Sequence, residues 1–158
     1  MKRLFLAAAV IVACKASAQG GKDASTWLQI KPGQTTQAQA EKLLGKPTGQ
    51  MSKDEHASWR YAAGSNMVQM NWQNGELVEC TVTDGTPAKQ HWDPKQNQAL
   101  NIGASVEDVV ASLGMPRNMK IGRDVHLLQY QYEENVLHLS FKDGVLLRYE
   151  MNGWVSKK

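Results

Sequence analysis

The chain repeats itself. Residues 36–82 align with 105–151 without a gap at a constant offset of 69, so the fold must be one that a short unit can build twice. The matches fall on structural punctuation. Thr36 meets Ser105, Leu44-Gly45 meets Leu113-Gly114, Pro47 meets Pro116, Tyr61 meets Tyr130, Asn66 meets Asn135, and Asn74-Gly75 meets Asp143-Gly144. Trp72 falls on Phe141 and Leu77 on Leu146, which keeps large apolar side chains at equivalent places.

Each copy opens with a capped helix. Thr36 with Gln39 and Ser105 with Asp108 supply a hydroxyl and an N3 side chain that can satisfy backbone N–H groups left over at a helix start. Ala40, Leu43 and Leu44, and then Val106, Val109, Val110 and Leu113, recur every three or four residues and give each helix one apolar stripe. Gly45 and Gly114 can take the left-handed conformation that ends a helix, and Pro47 and Pro116 keep it from resuming.

Three strands per copy follow a polar loop: Ser58–Ala62, Met67–Trp72 and Glu76–Thr83, then Leu127–Tyr132, Val136–Phe141 and Val145–Met151. Asn74-Gly75 and Asp143-Gly144 mark hairpins. A two-residue loop would set Met70 against Glu79 and Leu139 against Arg148, mixing charge into an apolar face. A three-residue loop with the glycine as a bulge pairs Trp72 with Glu76, Met70 with Val78, Val68 with Cys80, Phe141 with Val145, Leu139 with Leu147 and Leu137 with Tyr149. That register leaves Gln69, Asn71, Glu79, Thr81, His138, Ser140, Arg148 and Glu150 on a polar face. The expected fold class is α+β: two tandem helix-helix-three-strand (ααβββ) repeats, helices covering one face of antiparallel sheets, joined edge to edge. Repeat 1 spans 25–83, a linker rich in Asp, Gly, Pro, Lys and Gln spans 84–98, and repeat 2 spans 99–154.

Residues 1–18 read as an export signal, with Lys2 and Arg3, a short apolar run from Leu4 to Ala13, and the small residues Ala16-Ser17-Ala18 before Gln19. Ile11-Val12-Ala13-Cys14 also fits a lipobox, which would end the signal before a lipidated Cys14; cleavage after Ala18 is the favoured reading. Either places the mature chain outside the cytoplasm, in the periplasm or anchored to the outer membrane. Lys2, Arg3 and Lys15 account for the whole excess of 18 Lys plus Arg over 15 Asp plus Glu, so the mature part is neutral. A neutral chain lacks the basic stripe that nucleic acid or an anionic bilayer would demand, leaving lipidated Cys14 as the route to a membrane. Beyond Cys14 only Cys80 remains, so no disulfide can form within the mature part.

The run Gly33, Thr36, Leu44-Gly45-Lys46-Pro47, Ser58-Trp59-Arg60-Tyr61 and Met70-Asn71-Trp72-Gln73-Asn74-Gly75 resembles the SmpA/OmlA group, which includes the outer-membrane assembly lipoprotein BamE. The second copy carries Gly103-Ala104-Ser105, Leu113-Gly114-Met115-Pro116 and Leu139-Ser140-Phe141-Lys142-Asp143-Gly144-Val145. Two such units in one chain resemble the β-lactamase inhibitor proteins, whose tandem repeats form a concave sheet that grips an enzyme. The resemblance covers nearly all of the mature chain and its motifs are structural rather than catalytic. It departs from the inhibitors in lacking a disulfide in each repeat, and no inhibitory residue carries over.

The resemblance implies a non-enzymatic envelope module that binds an envelope protein. The alternatives are an inhibitor of a secreted hydrolase or a binder of a small ligand or cell-wall fragment. His56, His91, His126 and His138 stand singly, and Asp54-Glu55 and Glu133-Glu134 are neighbours in turns, so no metal site, cofactor or convergent carboxylate pair is expected. Cys80 alternates with Val78 and Val82, which predicts a buried, inert thiol. Trp59, Tyr61, Trp92, Tyr130, Tyr132 and Trp154 exceed what two small sheets need for packing. The expected recognition face combines Trp59 and Tyr61 with Gln69, Glu79, His138 and Arg148.

Overall fold

The computed structural model describes residues 24–85, 100–133, 135–151 and 154–155; the export signal with Cys14, most of the 84–98 linker with Trp92, and the side chain of Trp154 lie outside the described residues. In chain order come α1 (Ala24–Trp27), α2 (Gln37–Leu44), β1 (Gly49–Lys53), β2 (His56–Ala63), β3 (Asn66–Gln73) and β4 (Glu76–Asp84). Then follow α3 (Val106–Leu113), β5 (Asn118–Ile121), β6 (Val125–Tyr132), β7 (Asn135–Lys142), β8 (Val145–Met151) and β9 (Trp154–Val155). The starts at 37, 49, 56, 66 and 76 recur at 106, 118, 125, 135 and 145, so the offset seen in the sequence is also the offset of the elements.

The expected pair of helix-covered ααβββ units is corrected. All nine described strands form a single antiparallel sheet in chain order, β1 to β9, and β4 pairs directly with β5 through Val82–Met119 and Cys80–Ile121. Each copy therefore contributes four strands rather than three. The added strands, β1 and β5, sit where a polar loop was expected. The helical layer is slight, at four, eight and eight residues, and the two long helices contribute unequally. Of α3, Val106, Val109, Val110 and Leu113 are buried, whereas α2 buries only Ala40. Trp27 and Ile30, both fully buried in or just after α1, join α3 and the inner sheet face in one continuous core.

The helix starts follow from their caps. Thr36 Oγ1 accepts from Gln39 N–H at 3.3 Å while Thr36 N–H donates to Gln39 Oε1 at 2.8 Å, closing the capping box. Ser105 Oγ accepts from Asp108 N–H at 3.1 Å and donates to its carboxylate at 2.7 Å. Gly45 and Gly114 leave the helices at φ 83° and 78°.

The hairpin register also differs from expectation. Asn74-Gly75 and Asp143-Gly144, all with positive φ, make two-residue turns, so Gln73 faces Glu76 and Trp72 faces Leu77, while Lys142 faces Val145 and Phe141 faces Leu146. Primed turns of this kind match the right-handed twist of the flanking strands, which favours them over a longer loop. The mixed face is avoided one step further on, by a bulge. Val78 in the first copy and Leu147 in the second have no cross-strand partner, and the next pairs are Asn71–Glu79 and Ser140–Arg148. One extra residue restores the parity, bringing Met70 against Cys80 and Leu139 against Tyr149. In both copies the loop ahead of the helix holds the backbone at this point: Gly33 N–H donates to Leu77 C=O and Gly103 N–H to Leu146 C=O, each at 2.8 Å.

Cys80 is fully buried against Met70 and Ile121, and burial, with Glu79 beside it, pushes its thiol up to about 12. A Cys14→Ser variant should therefore leave its remaining thiol unreactive toward a soluble disulfide reagent until denaturant is added. Reaction of the native protein at the rate of a free cysteine would contradict an inward-facing Cys80.

Candidate functional site

Alternation divides the sheet into two faces of different chemistry. The inner rows run Tyr61–Val68–Val82–Met119–Leu128–Leu139–Tyr149 and Met70–Cys80–Ile121–His126–Phe141–Leu146. The outer rows run Arg60–Gln69–Thr81–Lys120–Leu127–Ser140–Arg148 and Met67–Thr83–Asn118–Gln129–His138–Glu150. Among the described residues no helix lies over the outer face, so its side chains meet solvent.

Of the six residues expected to form one recognition face, the structure brings four to this outer surface: Gln69, Glu79, His138 and Arg148. It places Trp59 and Tyr61 on the opposite side. Trp59 packs against buried Trp72 with ring centroids 5.3 Å apart, and Tyr61 is buried opposite Val68. The physical reason is parity: Trp59 and Tyr61 alternate with the exposed Arg60, and the apolar rows of β3 and β4 draw both aromatics inward. Tyr130 and Tyr132 are likewise buried, stacked at 6.2 Å, with Tyr130 Oη donating to Gly114 C=O at 3.0 Å. Most of the described aromatics therefore serve the core. Desolvation, then Glu41 and Cys80, raises the Tyr61 phenol to about 12.

Part of the charge on the outer face is held in ion pairs, two of them between the copies and one within β8. Lys120 Nζ meets Glu79 Oε2 at 2.7 Å, joining β5 to β4 across the seam between copies, and Arg148 meets Glu150 at 2.9 Å. Arg123 in the β5–β6 turn pairs with Glu76 of β4. Asn118 Nδ2 donates to Gln129 Oε1 at 2.9 Å and Gln69 Nε2 to Asn71 Oδ1 at 3.2 Å. These exposed pairs each contribute little to stability, at most about 1 kcal/mol.

What reading the sequence missed is a set of exposed large apolar residues on this face: Met51 (69% exposed), Met67 (66%), Leu147 (55%), Val125 (45%), Leu127 (42%), Val145 (40%) and Val78 (39%). Val78 and Leu147 are the two bulge residues, turned outward by the same parity change that keeps Leu77 and Cys80, or Leu146 and Tyr149, on the inner side. Their signal in the sequence is a break in alternation three residues after Asn-Gly and Asp-Gly. Met51, Ser58, Asn71 and Val78 also line a depression of about 300 Å³ at one corner of the face. A second depression, about 440 Å³ beside α2, is lined by Gln29, Lys31, Gln34, Gln39, Lys42 and their neighbours, with no aromatic side chain.

Among solved structures that resemble this arrangement is a candidate β-lactamase inhibitor protein from Streptococcus mutans, 16% identical, aligned over 81% of this chain and 93% of that one with a TM-score of 0.55. The two share a fold. An extracellular protein containing an SCP domain from Bacillus anthracis aligns over 82% of this chain and 38% of that one, at 19% identity and a TM-score of 0.32. No family model matches the chain, and no curated protein matches it. At this identity the inhibitor-like neighbour speaks for architecture, and a fold of this kind does not dictate an activity.

No group of three or more His, Cys, Asp or Glu among the described residues is placed to hold a metal ion, and no described helix is long and apolar enough to cross a membrane. His126 sits in the inner row between Ile121 and Phe141, and its Nδ1 has no hydrogen-bond partner among the described residues. Burial holds its imidazole below the ordinary value, with Glu107 opposing. The folded state therefore favours neutral His126, and on acidification the unfolded chain takes up the proton first. The contribution is complete above the unfolded histidine value, about 6.5, and is lost as pH falls below it. Urea midpoints measured at about pH 7.5 and about pH 5 should fall less for His126→Gln than for the parent. An equal fall would remove His126 from the acid response.

Proposed function

We propose that this chain is an exported, non-enzymatic protein-binding module of the bacterial cell envelope, and that it docks its partner on the outer face of the continuous sheet. The observation that carries this reading is the outer face itself. Seven large apolar side chains, Met51, Met67, Val78, Val125, Leu127, Val145 and Leu147, stand exposed there beside ion pairs, on a sheet whose other face is already filled by its own core. Such a mixture of exposed apolar anchors and polar surroundings is how many protein interfaces are built. The SmpA/OmlA-like motifs support an envelope role beside outer-membrane assembly machinery, and the signal-like residues 1–18 support export to the periplasm.

A photo-crosslinking side chain placed at Ser140, in the middle of the outer face, tests the docking surface in living cells. A discrete crosslinked partner from Ser140, and none from a control position at Glu41 on α2, is the expected result. Crosslinks from Glu41 alone would put the surface on the helical side. Mass spectrometry of the mature N-terminus distinguishes a diacylated Cys14 from a free or cyclised Gln19, and so an outer-membrane anchor from a soluble periplasmic chain.

The shared fold with a candidate β-lactamase inhibitor favours a second reading, in which the same face blocks a secreted hydrolase. Inhibition at nanomolar concentration in a panel of β-lactamases, lysozymes and proteases is its signature, and a flat panel counts against it. A small-ligand role has less support, since the depression beside α2, lined by glutamine, lysine and threonine with Ile30 and Leu43, has no aromatic platform.

A further inference from the structure

The second copy shows what a strand in the position of β1 can do. Gly49–Ser52 is the counterpart of Asn118–Ile121 at the offset of 69, and β5 is paired on both sides, with β6 and, antiparallel, with β4. β1 pairs with β2 and has no strand on its other side among the described residues, so it ends the sheet with a row of outward-facing backbone N–H and C=O groups. The devices that usually blunt such an edge are missing: β1 runs five residues with no proline and no bulge, and its one charge, Lys53, stands at its end. The opposite edge is treated differently. β9 covers Glu150 and Met151 of β8, the counterparts of Thr81 and Val82, at which β5 joins β4. A second molecule is therefore blocked from adding its β1 to β8 as β5 adds to β4. Two such short β1 strands laid side by side would fall short of the roughly 1,000 Å² that a stable dimer buries.

We infer that β1 is a strand-addition site for an extended segment of a partner protein, which joins the sheet antiparallel, as β4 joins β5, and is held chiefly by main-chain hydrogen bonds. The side chains of β1 set the sequence it accepts. Gln50 and Ser52 lie on the inner side, where β5 has the buried Met119 and Ile121, so the added strand presents polar residues there, in place of the Val82 and Cys80 that meet β5. Met51 stands on the outer side, 69% exposed, at the rim of the depression that it lines with Asn71 and Val78, and an apolar residue opposite it covers that rim. Lys53 and Arg60 form no ion pair among the described residues, and Gly49, which pairs with Arg60, has no side chain to screen it. Carboxylates opposite Gly49 and Lys53 complement these two cations. Read along β1, the segment is acidic, polar, apolar, polar, acidic. This edge is a second site, separate from the outer face proposed above.

The test uses the full mature chain and a synthetic peptide with Glu-Thr-Leu-Thr-Glu between short glycine-serine flanks. It should bind at least tenfold more tightly than the same residues in scrambled order or the version with lysine for glutamate. Two further versions are N-methylated on one or the other set of alternate amides. One should lose at least tenfold and the other keep its affinity, since only every second N–H of an added strand faces the sheet. Saturating peptide should slow hydrogen exchange at least tenfold at alternate amides of β1, those turned away from β2, and leave β9 unchanged. Met51→Glu, at a mostly exposed position, should weaken the peptide at least tenfold while the circular dichroism of the protein is unchanged. Lys53→Glu should reverse the preference between the glutamate and lysine peptides. No binding, indifference to both N-methylated versions, or β1 amides that stay fast in the bound state would each overturn strand addition. So would β1 amides that become protected with protein concentration alone, which would give the edge to a second copy. If the Ser140 crosslink still captures a partner in any of these events, the outer face stands and only the edge falls.

Discussion

Replacing Phe141 with alanine is expected to destabilise the protein by about 3–5 kcal/mol, whereas Leu147→Ala, six residues on, should change stability by less than about 0.5 kcal/mol. Phe141 is buried between His126 and Leu146 on the inner face, so truncation removes apolar contact and leaves a cavity that a sheet pinned on both sides cannot collapse. Leu147 is the bulge residue and is more than half exposed. The contrast reports on the register directly. With a three-residue hairpin loop, Leu147 would sit inward against Leu139 and its loss would cost as much as other core leucines. Urea denaturation of both variants, analysed with a common slope, measures the difference. A large loss for Leu147→Ala would reject the bulge.

The second expectation concerns the seam. Ile121 lies on β5 opposite Cys80 of β4, where the two copies are hydrogen-bonded into one sheet, and it is fully buried. Ile121→Ala should cost about 2–5 kcal/mol, and the cost should fall on both copies together. Residues of both belong to a single core, and Lys120–Glu79 and Arg123–Glu76 cross the same boundary. Hydrogen exchange followed by mass spectrometry is the appropriate measurement, because it reports opening of each strand separately. The slowest amides of β3 and β7 should show the same opening free energy, reduced by the same amount in the variant. Loss of protection in β7 alone would mean that the copies unfold independently and that the seam is a weak junction.

Much of the local structure was legible before the tertiary structure was known. The hydroxyl caps Thr36 and Ser105, the helix-ending Gly45 and Gly114, the turns at Asn74-Gly75 and Asp143-Gly144, and the offset between copies depend on interactions within a few residues, and local chemistry specifies them. The outer-face placement of Gln69, Glu79, His138 and Arg148 was also readable from parity. β5 left a trace, since Asn118-Met119-Lys120-Ile121 alternates polar and apolar. β1 left none: Gly49–Lys53 is almost wholly exposed and is a strand only because β2 lies beside it to accept and donate its hydrogen bonds.

The bulges were not legible in the same way. A hairpin can settle a parity conflict in its turn or within its ladder, and both solutions give the same apolar pattern for most residues. The choice between them rests on the fit of a two-residue turn to strand twist and on the hydrogen bonds that Gly33 and Gly103 send to Leu77 and Leu146 from far away in sequence. That choice turned Val78 and Leu147 outward, and with them the character of the outer face. The inward turn of Trp59 and Tyr61 was decided likewise, by partners on β3 and by a core that needed their bulk.

By itself the sequence determined that a capped helix and a run of antiparallel strands occur twice at a fixed spacing, because caps, turns and alternation act over a few residues. The tertiary structure decided that the two copies make one sheet and that each hairpin carries a bulge. It also decided which side chains face outward, because strand partners, edge pairing and the shared core exist only once distant segments meet.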